Sequence, residues 1–168
     1  MQNNPVQRGG VAAIFMPYVP TMLKAAGGVV VVYCAETVRK LVQDVTKFNI
    51  VIVNRSYLRM IRTGSYNNSG QWPAKDVSEV SSEVASISDS SFSFAASYKL
   101  QHSSRVVTLA ASWPMVGSRK IAIHAGTAES AMSPRELWER LDNSDDKESE
   151  TCRAFIADKS FTYVIQSW

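Results

Sequence analysis

Alternating hydrophobic and polar positions predict a set of β-strands in the second half of this chain. In residues 92–100, aromatic and aliphatic side chains alternate with small or polar ones. This period of two is typical of a strand with one buried face. Residues 105–113 predict a second strand, and Ile121 and Ile123 begin a third, in which Gly126 is a candidate bulge. Because the connections are short, we interpret the three strands as an antiparallel meander.

Three further segments also predict strands. Residues 29–34 are dense in β-branched side chains, which favours a buried strand. Residues 50–53 predict a short strand, and the alternation of Phe161, Tyr163 and Ile165 predicts a strand that closes the fold. The sequence therefore predicts strands on both sides of its less regular middle part.

Two or three helices are expected beside these strands. A helix over residues 36–48 is predicted from apolar positions at helical spacing, which are Val38, Leu41, Val42, Val45 and Phe48. Residues 57–61 predict a brief segment that Asn54 and Ser56 cap and that stops near Gly64. The run from Ser133 to Glu136 has Ser at the cap, Pro next and Glu at the third position, which predicts a capping box and a helix.

The remaining segments predict loops. Residues 64–91 are poor in large apolar side chains and rich in Ser, Asn and Gly. Within them, residues 76–91 are acidic and rich in Ser, which favours a mobile loop or a weak helix. Residues 142–150 form an acidic, exposed run. We predict a flexible, proline-containing arm over residues 1–27 and one globular domain over residues 28–168. The predicted fold class is α+β, with an antiparallel sheet packed against two or three helices.

Charge is distributed unevenly along the chain, although the net charge is only +3. Residues 1–75 hold nine Lys or Arg and two acids, whereas the remaining residues hold nine Lys or Arg and thirteen acids. Such asymmetry favours an anionic partner, which can be nucleic acid, a membrane surface or an acidic protein. The candidate residues for binding an anionic membrane or RNA are Lys24, Arg39, Lys40, Lys47, Arg55, Arg59, Arg62 and Lys75. If residues 55–62 are helical, their three arginines form one basic stripe.

Known catalytic and metal-binding patterns are missing from the sequence. It has no phosphate loop, no dinucleotide-binding glycine pattern and no H-E-x-x-H, C-x-x-C or G-x-S-x-G motif. We therefore expect no catalytic residues, no metal, no cofactor and no small-molecule substrate. A small hydrolase that uses His102 or His124 is the weakest alternative. Cys34 and Cys152 are too few for a disulfide framework or a four-thiolate site, and we expect reduced thiols.

Membrane spans and export are not predicted either. No stretch of about 18 apolar residues is present, and the polar first ten residues lack the pattern of a secretory signal. Aromatic side chains are not interleaved with the candidate basic residues in a way that suggests base stacking. The pattern thus favours general anion binding over sequence-specific reading of nucleic acid.

The order of the predicted elements resembles the matrix proteins of rhabdoviruses, particularly the short ones of plant-infecting members. GVVVVYC, ETVRKLVQDVTKF, NIVIV and YLRMIRTGS are similar to that family's strand, helix, hydrophobic link and second helix. KIAIHAGTAESAM followed by ELWERL is similar to the vesicular stomatitis-type segment. The matching positions there are Ile121, Ile123, Gly126, Thr127, Glu129, Met132 and Trp138.

This resemblance, which covers residues 29–168, implies a non-enzymatic viral structural protein. Such a protein self-associates, condenses the viral nucleoprotein–RNA complex and links it to the inner membrane face during assembly and budding. It implies a location in the virion and host cytoplasm, peripheral at membranes, with a nuclear pool left open. No Pro-Pro-x-Tyr budding motif is present, so budding through that motif is not implied.

Two further hypotheses concern partners. The extended segment with Pro17, Tyr18 and Pro20 is a candidate contact for self-association, because proline-rich segments bind at a low ordering cost. The alternative function is a small non-enzymatic viral RNA-binding protein, such as a silencing suppressor or a movement protein. Whether membrane or RNA is the main anionic ligand stays open at this point.

Overall fold

The protein is mostly β-sheet in a computed structural model that describes residues 22–25, 28–31 and 48–166, the first two ranges as backbone only. Strands account for 55% of the structure and helix for 5%. The predicted α+β class with two or three helices is therefore wrong, because the only helix over the described ranges has six residues. Helix propensity and the helical spacing of side chains predicted helices in segments whose conformation is in fact decided by pairing with strands distant in sequence.

Two sheets pack face to face. The five-stranded sheet has the order β5-β3-β11-β10-β9, and the four-stranded sheet has the order β4-β6-β7-β8. A separate hairpin pairs β1 with β2. The elements are β1 (Met22–Ala25), β2 (Gly28–Val31), β3 (Phe48–Asn54), β4 (Met60–Ser69), β5 (Ser81–Ile87), β6 (Phe92–Leu100), β7 (Arg105–Trp113), β8 (Lys120–Thr127), α1 (Pro134–Glu139), β9 (Asp146–Glu148), β10 (Cys152–Ala157) and β11 (Ser160–Ile165).

The predicted antiparallel meander is confirmed as β6, β7 and β8. Gly126 is not a bulge, since it pairs in regular register with Val106. It is a glycine for a different reason: a Cβ at this position would lie 2.9 Å from Oγ of Ser130, in the turn that follows β8. The close approach of that turn to the strand therefore excludes a side chain.

The core lies between the two sheets and contains the aromatic face predicted for β6. Its largest fully buried side chains include Phe92, Phe94, Tyr98, Leu109, Ile50, Ile52, Phe161, Tyr163 and Ile165. Each such side chain stabilises the fold by about 1.5–3 kcal/mol relative to an exposed position. The predicted strands at residues 50–53 and 161–165 are thus confirmed as β3 and β11, which pair in parallel.

The small face of β6 receives the helix. Ala95 and Ala110 leave room for Leu137 of α1 against the four-stranded sheet. The predicted capping box is confirmed, because Glu136 N donates to Ser133 Oγ at 3.3 Å and Ser133 N donates to the Glu136 carboxylate at 2.8 Å. The capping box therefore fixes where α1 begins, and the small side chains of Ala95 and Ala110 allow the helix to pack there.

Residues 55–59 form no helix, contrary to the prediction, and residues 60–69 form strand β4. β4 pairs antiparallel with β6, with register irregularities between Arg62 and Gly64 and between Asn67 and Ser69. The predicted helical stripe of three arginines therefore does not exist. The spacing of these arginines fits a helix, but pairing with β6 overrides this local preference.

Residues 76–91 are not the predicted mobile loop or weak helix either, because they contain strand β5. After β4 ends, residues 70–80 form a strap along the edge of the sheets, and β5 follows. Trp72, Ala74 and Val77 of the strap are buried. The indole N–H of Trp72 donates to the Tyr98 hydroxyl at 2.8 Å, and this hydroxyl donates to Ala74 O at 3.2 Å. The strap is thus held both by its own buried apolar side chains and by the hydroxyl of Tyr98.

The acidic run over residues 142–150 is largely exposed, but it includes the short strand β9. β9 pairs with β10, a strand that the sequence pattern did not indicate. The buried guanidinium of Arg153 on β10 contacts carboxylates of Asp146 and Glu148. Part of the acidic run is therefore compensated by a cation from its own sheet.

Several predictions fall outside the described residues. The predicted helix over residues 36–48 is among them, apart from Phe48, which begins β3. Of the strand predicted over residues 29–34, the backbone is described to Val31, within β2. Of the arm predicted over residues 1–27, only Met22–Ala25 is described, and it forms β1.

Candidate functional site

Half of the predicted binding residues cannot be placed as side chains. Lys24 lies in β1, of which the backbone alone is described. The other predicted contacts outside the described ranges are Arg39, Lys40 and Lys47 for anions, and Pro17, Tyr18 and Pro20 for self-association. The predicted contacts whose side chains are described are Arg55, Arg59, Arg62 and Lys75.

Two of these cations interact with acidic groups, and the guanidinium of a third, Arg62, donates to Ala74 O at 3.3 Å. Nη2 of Arg59 lies 3.5 Å from Oδ2 of Asp76, and the backbone N–H of Arg62 donates to Oδ1 of the same carboxylate at 2.9 Å. Lys75 interacts electrostatically with Glu83, whose pKa is raised by burial and lowered in part by this lysine. The predicted basic stripe is therefore replaced by a cluster in which Arg59 and Lys75 each interact with one carboxylate.

The net charge of the chain does not come from residues 48–166, which contain the two packed sheets. Residues 48–166 hold thirteen Lys or Arg and thirteen Asp or Glu, so they are formally neutral. Residues 1–47 hold five Lys or Arg and two acids, which equals the whole net charge of +3. Binding of anions by the described part thus depends on local arrangements of cations rather than on a general field.

The β3–β4 loop, residues 55–59, is one such local arrangement, and we call it the Arg–Tyr loop. Tyr57 is 80% exposed and lies between the exposed Arg55 and Arg59. The backbone N–H of Gln101 donates to Arg59 O at 2.8 Å, which places the loop beside the turn between β6 and β7. The prediction that no aromatic side chain is interleaved with the basic residues is therefore wrong at Tyr57, because it assumed a helical stripe in which Tyr57 lies off the basic face.

The β7–β8 turn, residues 114–119, lies at the opposite end of the four-stranded sheet. It carries Met115 and Val116, which are 83% and 91% exposed, and we call these two residues the apolar tip. β7 has nine residues, so it separates this turn from the Arg–Tyr loop by about 30 Å. The sequence signal that could have identified the tip is an apolar pair between Pro114 and Gly117.

The base of the turn is fixed to the core. The ring of Trp113 packs against that of Phe48 with a centroid distance of 4.5 Å. The guanidinium of Arg119 lies 5.7 Å from the centroid of the Trp113 ring and donates to Asp158 O at 3.1 Å. Gly117 has a φ of +114°, which a residue with a side chain rarely adopts. The apolar tip is thus displayed by an anchored turn.

Cations border the apolar tip. Arg119 and Lys120 follow it directly, and Lys159 lies in the β10–β11 turn, next to the carbonyl that Arg119 contacts. Lys120 also lines the cleft that contains Trp138 and Glu139, and it interacts electrostatically with Asp142. None of the three cationic side chains lies within 4.0 Å of a carboxylate oxygen in the described part of the chain. An apolar pair beside three such cations is suited to the boundary between lipid headgroups and acyl chains.

Catalytic or metal chemistry finds little support among the described residues. Within them, no group of three or more His, Cys, Asp or Glu is arranged to hold a metal. His102 is exposed in a turn, and Nε2 of His124 lies 3.4 Å from Ser130 O. Burial raises the pKa of the Cys152 thiol, which disfavours the thiolate. A shallow cleft of about 210 Å³ beside Trp138 contains two serines but no histidine to activate them.

Comparisons of the sequence with known proteins do not assign the chain to a family. No family model matches the chain, and no curated protein matches it. The resemblance to rhabdovirus matrix proteins therefore stays a prediction. No helix of the described ranges is long and apolar enough to cross a membrane.

Proposed function

We propose that the protein is a non-catalytic viral structural protein of matrix type that docks on an anionic membrane surface. The observation that carries the proposal is the apolar tip, with Met115 and Val116 exposed on an anchored turn. Three cations lie beside it in the chain or in the neighbouring turn, and none of them forms a salt bridge with a residue that the structure describes. Self-association and attachment to the viral nucleoprotein–RNA complex belong to the same proposal through the sequence resemblance. A small viral RNA-binding protein remains the alternative, and the Arg–Tyr loop favours it.

The magnitude fits reversible docking. Burying both side chains of the tip in the interfacial region contributes about 3 kcal/mol, toward the low end for full burial. Three cations near anionic lipids contribute about 1 kcal/mol each. The sum of about 6 kcal/mol corresponds to a dissociation constant of tens of micromolar. A single copy therefore binds weakly, and an array of self-associated copies binds firmly through multivalency.

Vesicle flotation tests the proposal. We expect the protein to float with vesicles that contain phosphatidylserine and to float less with pure phosphatidylcholine, since the cations require anionic lipid. The double variant Met115→Ser/Val116→Ser should lose about 3 kcal/mol, which is about a hundredfold in partitioning. Tyr57→Ser is the matched control, because it removes the third exposed large hydrophobic side chain at the opposite end.

The contrast between the two variants decides the outcome. If the double serine variant floats as well as the original protein, the tip does not insert and the membrane proposal is wrong. Equal loss in both variants would also contradict it, because this would indicate general hydrophobic adhesion. Circular dichroism and thermal melting verify that both variants stay folded, as is expected for exposed positions.

A further inference from the structure

The Arg–Tyr loop is held in one conformation by buried polar groups. Asn54 and Ser56 are both buried. The side-chain amide of Asn54 donates to Leu58 O and to Ser78 O, at 2.9 Å each, and its Oδ1 accepts from N and Oγ of Ser56. Arg55 N donates to Ile165 O at 2.8 Å, so the start of the loop is also fixed. The loop thus displays Tyr57 from a rigid base.

An exposed tyrosine on a rigid loop is poised for a contact. Tyr57 is absent from the apolar clusters and from the aromatic pairs of the described core. Because the loop is already ordered, a partner that binds to the ring has to immobilise little more than the Tyr57 side chain, and the entropy cost of binding is therefore small. Its position thus favours a flat partner that can lie on the ring.

The flanking arginines are able to bind anions. Arg55 is exposed and forms no ion pair with any residue that the structure describes. Arg59 is about half exposed and lies 3.5 Å from Asp76, a carboxylate that already accepts the backbone N–H of Arg62. A guanidinium at this distance makes a loose pair of low strength, which a phosphate can replace.

We propose that the Arg–Tyr loop binds single-stranded RNA, with a base stacked on Tyr57 and the neighbouring phosphates contacted by Arg55 and Arg59. A base presents a flat π-face for the ring, and a phosphate accepts two-pronged hydrogen bonds from a guanidinium. Duplex RNA is a poorer partner, since its bases are stacked on each other. This inference rests on the proposed function in assigning RNA to the viral nucleoprotein complex, but its test requires no membrane.

An RNA partner fits the loop better than a membrane does. The Arg–Tyr loop exposes one tyrosine, whereas the apolar tip exposes two aliphatic side chains. The two sites lie about 30 Å apart on opposite ends of the four-stranded sheet. One molecule can therefore contact RNA and a lipid surface at the same time, as a protein that connects the two must do.

Fluorescence anisotropy with a labelled oligouridylate tests the inference on the full chain. We expect Tyr57→Ala to weaken binding about tenfold, because stacking of one base contributes about 1–3 kcal/mol. The salt dependence should stay unchanged in this variant. Arg55→Ala should weaken binding and also lower the slope of log affinity against log salt by about 0.7, the value for one contact to a single-stranded phosphate. Tyr57→Trp should retain or strengthen binding.

Controls distinguish this inference from the membrane proposal. The double variant Met115→Ser/Val116→Ser should bind the oligonucleotide as the original protein does, although it fails to float with vesicles. The inference is overturned if Tyr57→Ala binds RNA normally, if a duplex of equal length binds as tightly, or if the original protein binds no RNA. A loss of vesicle binding in Tyr57→Ala, with RNA binding intact, would assign the loop to lipid instead.

Discussion

Replacing Tyr98 by Phe should destabilise the protein by about 2 kcal/mol, although the ring and its packing are retained. The Tyr98 hydroxyl accepts the indole N–H of Trp72 at 2.8 Å and donates to Ala74 O at 3.2 Å. All three residues are buried, so water cannot replace the lost partner. Ala74 O still accepts from Nη1 of Arg62 at 3.3 Å, so the indole N–H of Trp72 is the one group left without a partner. An unsatisfied buried polar group costs about 1–3 kcal/mol. Urea unfolding followed by tryptophan fluorescence measures the change.

Tyr163→Phe is the matched comparison. The Tyr163 hydroxyl donates to Ala110 O at 2.7 Å, and Ala110 lies in strand β7, which pairs with β6 and β8. Removal of this hydroxyl therefore leaves no buried N–H donor without a partner, unlike removal of the Tyr98 hydroxyl. We expect a smaller loss, about 1 kcal/mol. If Tyr98→Phe costs less than Tyr163→Phe, or less than about 1 kcal/mol, then the hydroxyl of Tyr98 does not hold the strap. The explanation given above for residues 70–80 would then be refuted.

Three other predictions concern single groups. Ser133→Ala should cost about 1 kcal/mol in urea unfolding through loss of the α1 cap, whereas Ser133→Asp should cost little. Burial raises the pKa of Glu83 in the folded state, so its protonated form gives a stability that is lost as the pH rises through that pKa. Glu83→Gln should therefore melt at a higher temperature than the original protein at pH 7, and the difference should vanish below 4.5, the ordinary pKa. Burial of Cys152 should make its alkylation slow at pH 8 unless urea is added, and fast labelling of that residue in the folded protein would contradict its placement.

The sequence predicted secondary structure correctly where the local pattern of residues favours the same conformation as the tertiary contacts. The bounds of β6 and β7 match the predicted ranges because each strand has one face toward the core and one small face toward α1. The cap of α1 was also predictable, since its hydrogen bonds join residues only three positions apart. Such features require no knowledge of distant residues.

The middle of the chain could not be predicted for the opposite reason. β4 is an edge strand whose outward positions are polar, so it lacks a clear alternation, and its arginines happen to have helical spacing. The strap is fixed by Tyr98, which lies 26 residues after Trp72 in the chain. Periodicity cannot reveal hydrogen bonds at this separation.

The candidate binding residues show the same limit. Their positive charge was evident from composition, but the compensation of Arg59 by Asp76 depends on a contact across 17 positions. The exposure of Tyr57 depends on where the surrounding loop ends. Composition could therefore indicate an anionic partner, while only the fold identifies which cations are available and which apolar groups accompany them.

The location of the net charge predicts how membrane binding should depend on salt. Residues 48–166 are formally neutral, so long-range attraction to anionic lipid arises from residues 1–47, which carry +3. This attraction is screened beyond about 8 Å at physiological ionic strength, whereas burial of the apolar tip is almost indifferent to salt. Flotation should therefore fall with salt to a plateau that the tip sets. Met115→Ser/Val116→Ser should abolish the plateau and leave the slope. Arg39→Gln/Lys40→Gln should lower the slope and leave the plateau, and the cations beside the tip account for the slope that is left. If both variants change the same part of the curve, charge and apolar contact do not act as separate components of docking.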